Sequence, residues 1–364
     1  MPPVSSPERP VAQRAAYSAR PTVLMDGQRS EPVMQMLRSC VVREAEGGLS
    51  SLSLTLSNWG NEQGRIGYLF SDGALIDFGT RLKLYFGETS APRAVFEGEV
   101  HAIEAHAPPG APPEITFLAE DKLFAARQAR RSALYADMTP ADVVRRIAAN
   151  LGLQPDIDGL DGGRATWAQL NQSDLAFLRR LLARFDADLQ LSGDTLQVRR
   201  TAERERGTIQ LSLYSQLQQL RVIADLADQV SEVTASGFDM ATGSVYSASS
   251  RGAMPGPGSG DSGSSVLQRL RERSEHLAPL ACRNQAEAQA LADAAFDQRA
   301  RRFVRAHGST EGNAELRVGS TVRIDGIGAR FGNSYAVIEA THRYELISGY
   351  QTDFVAQSAY LGRA

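Results

Sequence analysis

Between Thr22 and Leu118 apolar and polar positions alternate with a period of two, in VMQMLRSCVV, LSSLSLTLS, GTRLKLYFG, RAVFEGEVHAIEAH and PEITFLAED, and Gly, Asn, Asp and Pro clusters separate the runs. This alternation puts every second side chain on one face and predicts an antiparallel β-domain. The period then lengthens. From 140 to 152, Val143, Val144, Ile147 and Leu151 line one side of a helix that Thr139 caps, Pro140 opens and Gly152 ends. In NQSDLAFLRRLLARFDADLQLSGDTLQVRR, Leu175, Leu178, Leu181, Leu182 and Phe185 recur at helical spacing, with Asn171 or Ser173 as the cap. LQL and LQV around SGD then make a hairpin. Arg179, Arg180 and Arg184 are left toward solvent or a partner, and a solvated helix face is the plainer expectation.

From Ile209 a second β-rich region begins. SASSRGAMPGPGSGDSGSS, residues 247 to 265, has the Gly, Ser and Pro content of a mobile loop. In NQAEAQALADAAFDQRARRFVRA, from 284 to 306, a helical run turns Ala286, Leu291, Ala294, Ala295 and Phe303 inward. β-pattern resumes from Leu316 to Ala359.

The two β-rich regions look like repeats of one another. GTRLKLYFGE from Gly79 and GSTVRIDGIG from Gly319 each open on Gly and a hydroxyl residue, and Leu82, Lys83, Leu84 stand against Val322, Arg323, Ile324. Set without a gap, FEGEVHAIEAH and FGNSYAVIEAT match Phe96 with Phe331, Ile103 with Ile338, Glu104 with Glu339 and Ala105 with Ala340. Two related β-domains in one chain suit a ring in which three copies present six similar units.

A length of 364 residues allows two or three cores. A hydrophobic content of 42%, charged content of 22% and net charge of -3 describe a globular chain without the excess positive charge of a nucleic-acid binder. Cys40 and Cys282 read as buried thiols in a reducing compartment. The N-terminal MPPVSSPERPVAQRAAYSARP has no apolar core of a signal peptide, and no run reaches the ~18 apolar residues of a membrane span.

Three segments taken in order carry a family resemblance: TFLAEDKLFAARQARRSALYADMTPADVVRRIAANLGL, then QLNQSDLAFLRRLLARFDADLQLSGDTLQV, then VGSTVRIDGIGARFGNSYAVIEATHRYELISGYQTDFVA. Together they resemble the tail hub family, which includes phage late control protein D, the hub part of VgrG spike proteins and the corresponding proteins of extracellular contractile injection systems. Asn171, Ser173, Leu175, Phe177 and Leu178 match that family's Q-x-N-x-S-D-x-x-F-L block, which implies helix capping and packing. The resemblance implies a homotrimer that joins a six-fold inner tube protein to a three-fold spike beside other baseplate subunits, assembled in the bacterial cytoplasm. VgrG proteins continue into an OB-fold and spike, whereas this sequence stops at Ala364, so a separate spike protein is expected.

The expected fold is mainly β with α+β insertions. It comprises a disordered tail (1–20), a first tube-like β-barrel domain (21–124), a mixed helix and hairpin domain (125–205), a second tube-like barrel (206–238 and 310–364), and a flexible loop with a helical insertion (239–309). Lys83 and Arg323, at matching positions, are the candidate ring or lumen surface.

Catalytic signals are thin. His101, His106, His276, His307 and His342 form no HExxH, and no Cys pair has metal-ligand spacing. GIGARFG around Gly326 lies between two strands without a P-loop lysine and reads as a hairpin connection. Glu97 and Glu99 share a strand face without a partner motif, and no GxSxG elbow is present. No catalytic, cofactor-binding or metal-binding residue is therefore expected. A tail-tip cell-wall hydrolase and a carbohydrate-binding module are the competing readings.

Overall fold

The structure is a computed structural model, and it describes residues 20–62, 64–87, 92–160, 162–239, 243–277, 282 and 284–363. The tail expected at 1–20 lies outside these residues except for Arg20. The first half supplies β1 (Thr22–Met25), β2 (Gln28–Arg29), α1 (Glu31–Met36), β3 (Leu37–Ala45), β4 (Ser51–Ser57), β5 (Gly60–Glu62), β6 (Arg65–Gly67), β7 (Arg81–Phe86), β8 (Arg93–His106) and β9 (Glu114–Glu120). The expected alternation is realised in β4, which buries Leu52, Leu54 and Leu56, and in β7, which buries Leu82, Leu84 and Phe86.

The mixed domain follows, with α2 (Leu123–Gln128), β10 (Arg130–Met138), α3 (Pro140–Asn150), β11 (Gln154–Ile157), β12 (Ala165–Ser173), α4 (Asp174–Ala183), β13 (Ala187–Ser192) and β14 (Thr195–Arg200). Thr139 and Asp142 make a reciprocal capping box at α3, and Gly152 (φ +67°) follows its end. The hairpin β13–β14 turns at Gly193, and β10 and β12 form a separate ribbon.

The chain then returns to the main sheet with β15 (Thr208–Ser212) and β16 (Leu217–Ala224). An insertion carries β17 (Glu232–Asp239), β18 (Ser244–Ser250), β19 (Asp261–Ser262), α5 (Gly263–Leu270), β20 (Ser274–Leu277) and α6 (Gln285–Arg301). The last strands are β21 (Val304–Glu311), β22 (Thr321–Asp325), β23 (Asn333–Glu345), β24 (Gly349–Ser358) and β25 (Tyr360–Leu361). Because β17 belongs to the insertion's own sheet and β21 to the main one, the insertion spans 225–303, not 239–309. In α6, Leu291 and Ala294 are buried as expected, but Ala286 is exposed, and Ala288, Ala292 and Phe296 fill the inward face instead. The segment read as a mobile loop has a place on its own chain. Ala253 and Met254 donate their N–H groups to Asp297, Ser259 donates to Asn333, and β19 pairs with β25.

The strand order shows the duplication. One half reads β3-β4-β9-β8-β7-β1 and the other β16-β21-β24-β23-β22-β15. β3 and β16 each carry a bulge next to Leu37 and Leu217 respectively, and both leucines are fully buried. β8 and β23 carry bulges at Val100/Ala102 and Val337/Glu339. Gly79 N–H bonds Val100 O and Val100 N–H bonds Thr80 O, just as Gly319 bonds Val337 and Val337 bonds Ser320. These pairs fix the equivalence and correct the ungapped match. Val100 corresponds to Val337, so Ile103 corresponds to Ala340 and not to Ile338, and Phe96 to Asn333 and not to Phe331. The true match is shifted by two residues, which leaves every side chain on its expected face. One difference breaks the repeat: β1 runs antiparallel to β7, and β15 parallel to β22.

Among the described residues neither half closes into a barrel. Both belong to one 13-stranded sheet, continuous through the pairing of β23 with β3. Phe117 and Phe354 take equivalent buried places, but Leu54 stands opposite the first and Gly308 opposite the second. A Cβ at Gly308 would lie 2.4 Å from the Phe354 ring. Gly308→Ala is therefore expected to cost about 1–3 kcal/mol in urea unfolding. Adding Phe354→Leu should cost less than the two single changes summed, and full additivity would show that this contact is not the constraint.

Candidate assembly interface

One edge of β23 carries both halves. Its first residues, Asn333–Ala336, pair with β22, and Glu339–Glu345 pair with Ala45–Ser39 of β3. The 312–320 connection lies where β22 gives way to β3. From it Arg317 grips Glu44 with both ends of its guanidinium, Nε to Oε2 at 2.7 Å, and donates Nη1 to the Ala94 carbonyl of β8 at 3.1 Å. Glu44 is 5% exposed. Burial alone would raise its carboxyl, but the charge and hydrogen bonds of Arg317 outweigh that and hold it below the usual range. Burial likewise opposes the Arg317 charge, and Glu44 more than offsets it.

His342 lies beside this pair with no exposed surface; its Nδ1 is 2.8 Å from the Tyr350 hydroxyl and 3.3 Å from Thr352 Oγ1. Burial first, and the Arg317 charge second, push its pKa down to about 3, so the ring is neutral. Phe86 of the first half stacks on Tyr350 of the second at 3.9 Å with an interplanar angle of 4°. Tyr344 and Tyr350 thus complete the core of the first half.

The residues singled out on α4 divide by role. Ser173 is the cap, accepting from the Ala176 N–H at 3.3 Å. Asn171 is not a cap: it stays in β12 at φ +47° and donates its N–H to Ser132 Oγ. Leu175, Phe177 and Leu178 are buried, and Phe177 stacks on Tyr135 at 5.5 Å. Sequence reasoning passed over Asp174, which is buried between Arg131 and Gln169; its signal was a carboxylate in the first helical turn.

Arg179 and Arg180 are exposed, as the solvated-face expectation has it, and Arg184 is half-buried, but all three also hold partners on the chain. Arg179 donates to the carbonyls of Gly47 and Gly48 at 2.7 and 3.0 Å, Arg180 to Ala168 O at 2.7 Å, and Arg184 to Glu287 of α6 at 2.8 Å. Gly48 takes φ +68°, and a Cβ there would lie 2.5 Å from Leu189. Nearby, Arg204 binds Glu46 and Asp188, Asp188 accepts the Gly47 N–H at 2.6 Å, and Arg301 binds Asp186. The mixed domain is thereby tied to both the first half and the insertion.

Lys83 and Arg323 occupy equivalent register positions, opposite Glu97 and Ser334, which are themselves equivalent. Their surroundings differ: Lys83 pairs with Glu97 at 2.9 Å, whereas Arg323 is exposed. The 58–80 connection is also asymmetric. It exposes Trp59, Ile66, Tyr68 and Phe78, with Trp59 and Tyr68 edge to face at 5.4 Å, while its counterpart at 312–320 is short.

A cleft of about 900 Å³ opens between the first half, the β13–β14 hairpin and the 314–317 segment. Several of its charged groups are engaged with one another, while Glu205 and Arg206 line it without an ion pair among the described residues. Lys83 holds Glu97, Arg93 holds Glu315 at 2.6 Å, and Arg317 holds Glu44. Asp121, pushed up to about 6 by burial, accepts the N–H groups of Ser50 and Leu123 at 2.7 and 2.9 Å. The Ser50 hydroxyl also bonds Asp121, and the Glu44 carboxylate lies close enough to add to the upward push. Among the described residues no group of three His, Cys, Asp or Glu is placed to hold a metal, Cys40 and Cys282 are free and buried, and no helix is long and apolar enough to cross a membrane.

This mainly β architecture is the fold of phage tail proteins. The 43 kDa tail protein of prophage MuSo2 from Shewanella oneidensis is 10% identical, with a TM-score of 0.66 over 93% of this chain and 97% of that one. The tail protein from Neisseria meningitidis MC58 is 12% identical, with a TM-score of 0.65 over 94% and 99%. The E. coli c3393 protein, a type VI secretion system component with structural similarity to bacteriophage T4 tail proteins, is 11% identical, with a TM-score of 0.57 over 94% and 79%. No curated protein sequence matches the chain. The family model for the Alg8 N-terminal domain matches residues 16–345, and the chain belongs to that family.

Two outcomes test the joint. Arg317→Met should cost about 3–5 kcal/mol in denaturant unfolding because it strands the buried Glu44 charge, and adding Glu44→Leu should recover much of the loss. The pH dependence follows from His342. Its folded pKa lies below the ordinary 6.5, so its contribution is complete above about pH 6.5 and shrinks as pH falls toward 3. Asp121 acts in the opposite sense, since its raised pKa removes stability as pH rises through about 6. The native chain compared with His342→Gln isolates the histidine: the stability gap should narrow by up to about 1.4 kcal/mol per pH unit on acidification below pH 6.5.

Proposed function

We propose that three copies of this chain form the hub of a contractile tail or injection apparatus, adapting a six-fold inner tube to a three-fold spike. One observation carries the reading. The chain holds two six-strand units with the same strand order, the same two bulges and the same connecting hydrogen bonds, side by side in one sheet. Three such chains present six similar units to a six-fold partner while the whole retains only three-fold symmetry. The two units are the counterparts of the tube-like barrels that the hub resemblance implies, and the tail-protein fold agrees with it. Lys83 and Arg323 recur around such a ring as a basic set facing its lumen or an adjoining subunit. The exposed aromatic cluster of the 58–80 connection occurs once per chain, which suits contact with another baseplate subunit.

In this reading the charged residues are structural, and no reaction is assigned to them. Light scattering on the purified chain should give about three times its mass of 39.4 kDa at micromolar concentration, and a peptidoglycan-release assay should show no turnover. A chain that stays monomeric both alone and with tube and spike components, or turnover abolished by changing one carboxylate, would overturn the proposal.

A further inference from the structure

The joint between the halves leaves an unused copy of itself at the two ends of the sheet. Within the chain, β23 offers the edge of Glu339–Glu345 to β3. The equivalent edge of β8 runs from Ala102 to Ala107, and the equivalent of β3 is β16. Among the described residues neither has a strand on that side: β8 pairs with β7 only through Arg93–Glu99, and β16 pairs with β21, with one further bridge of Leu217 to Leu213. Unpaired edges of this length are templates for another chain.

We infer that β8 of one copy pairs antiparallel with β16 of the next, in the register of the internal joint, and that this rests on the ring reading above. Transferring the pairs gives Ala102 with Asp225, Ile103 with Ala224, Glu104 with Ile223, Ala105 with Val222, His106 with Arg221 and Ala107 with Leu220; Pro108 then ends the ladder because it has no N–H to donate. The side chains fit this register. Ile103 and Ala105 continue the core-facing row of β8, and Leu220 and Val222 lie half-buried against the second core, so pairing closes an apolar layer where β3 and β23 close theirs. On the outer face the exposed Glu104 and His106 meet the exposed Arg221, with Glu104 and Arg221 diagonal neighbours. The contact is head to tail, joining different edges of successive copies, so it propagates in one rotational sense and closes as a ring.

The test oxidises the full-length Ala105→Cys/Val222→Cys chain with copper phenanthroline, followed by a denaturing gel. Disulfide-linked species of up to three chains are expected. Each single variant should give none, nor should Ala105→Cys combined with Ile223→Cys, whose side chains point to opposite faces. A surface pair guards against a folding defect: Glu104→Arg or Arg221→Glu alone should raise the concentration at which the oligomer half-dissociates by about tenfold, and the two together should restore it. A trimer by light scattering with no 105–222 linkage and no charge-swap rescue would overturn this joint and leave the hub reading standing. Linked rings of another number would keep the joint and overturn the trimer. A monomer without linkage at every concentration would overturn both.

Discussion

The antiparallel pairing of β23 with β3 is the interaction on which the rest of the structure depends. It makes one sheet out of two repeats, and at the point where the partner strand changes a buried Glu44 is gripped by a half-buried Arg317. A buried ion pair is a costly way to gain stability, since desolvation consumes most of its attraction. It is nevertheless selective, because the bidentate grip is satisfied in only one register. Phe86 stacked on Tyr350 adds the apolar half of the same constraint. The two repeats are thereby joined in one register within a single sheet.

Polar chemistry elsewhere follows the same logic. Arg179, Arg184, Arg204 and Arg301 bridge elements distant in sequence, and their partners are backbone carbonyls or carboxylates. In the cleft, Lys83, Arg93 and Arg317 are paired with Glu97, Glu315 and Glu44, and Asp121 is held by backbone N–H groups. Arg179, Arg184, Arg204 and Arg301 tie the mixed domain to the first half and to the insertion.

Duplication also explains where the halves diverge. Their hydrogen-bonded frame is shared down to the bulges, while the connections differ: an exposed aromatic excursion in one, a whole α/β insertion in the other. In the proposed hub, the frame common to both halves would meet the six-fold neighbour and the connections that occur once per chain the three-fold one.

The sequence by itself determined the local elements. Alternating leucines in β4 and β7 specify half-buried strands because the side-chain period of a strand is two, and Thr139, Pro140 and Gly152 bound α3 through their own local chemistry. It also carried the existence of the repeat, and the packing roles of Leu175, Phe177 and Leu178. Tertiary structure decided what depends on partners far along the chain. The repeat register moved by two residues because a shift of two preserves the alternation and only the hydrogen bonds of Gly79 and Gly319 distinguish the alternatives. Asn171 and Ser173 are equally good caps on paper, and the bulge opposite Ser132 assigns the role to Ser173. Arg179 and Arg180 are solvated as the sequence reads, but their partners, and that of Arg184, are decided only when Gly47, Gly48 and Glu287 are brought against the helix. Glu44, Arg317 and His342 are three ordinary polar residues until β3 pairs with β23 and takes all three out of water.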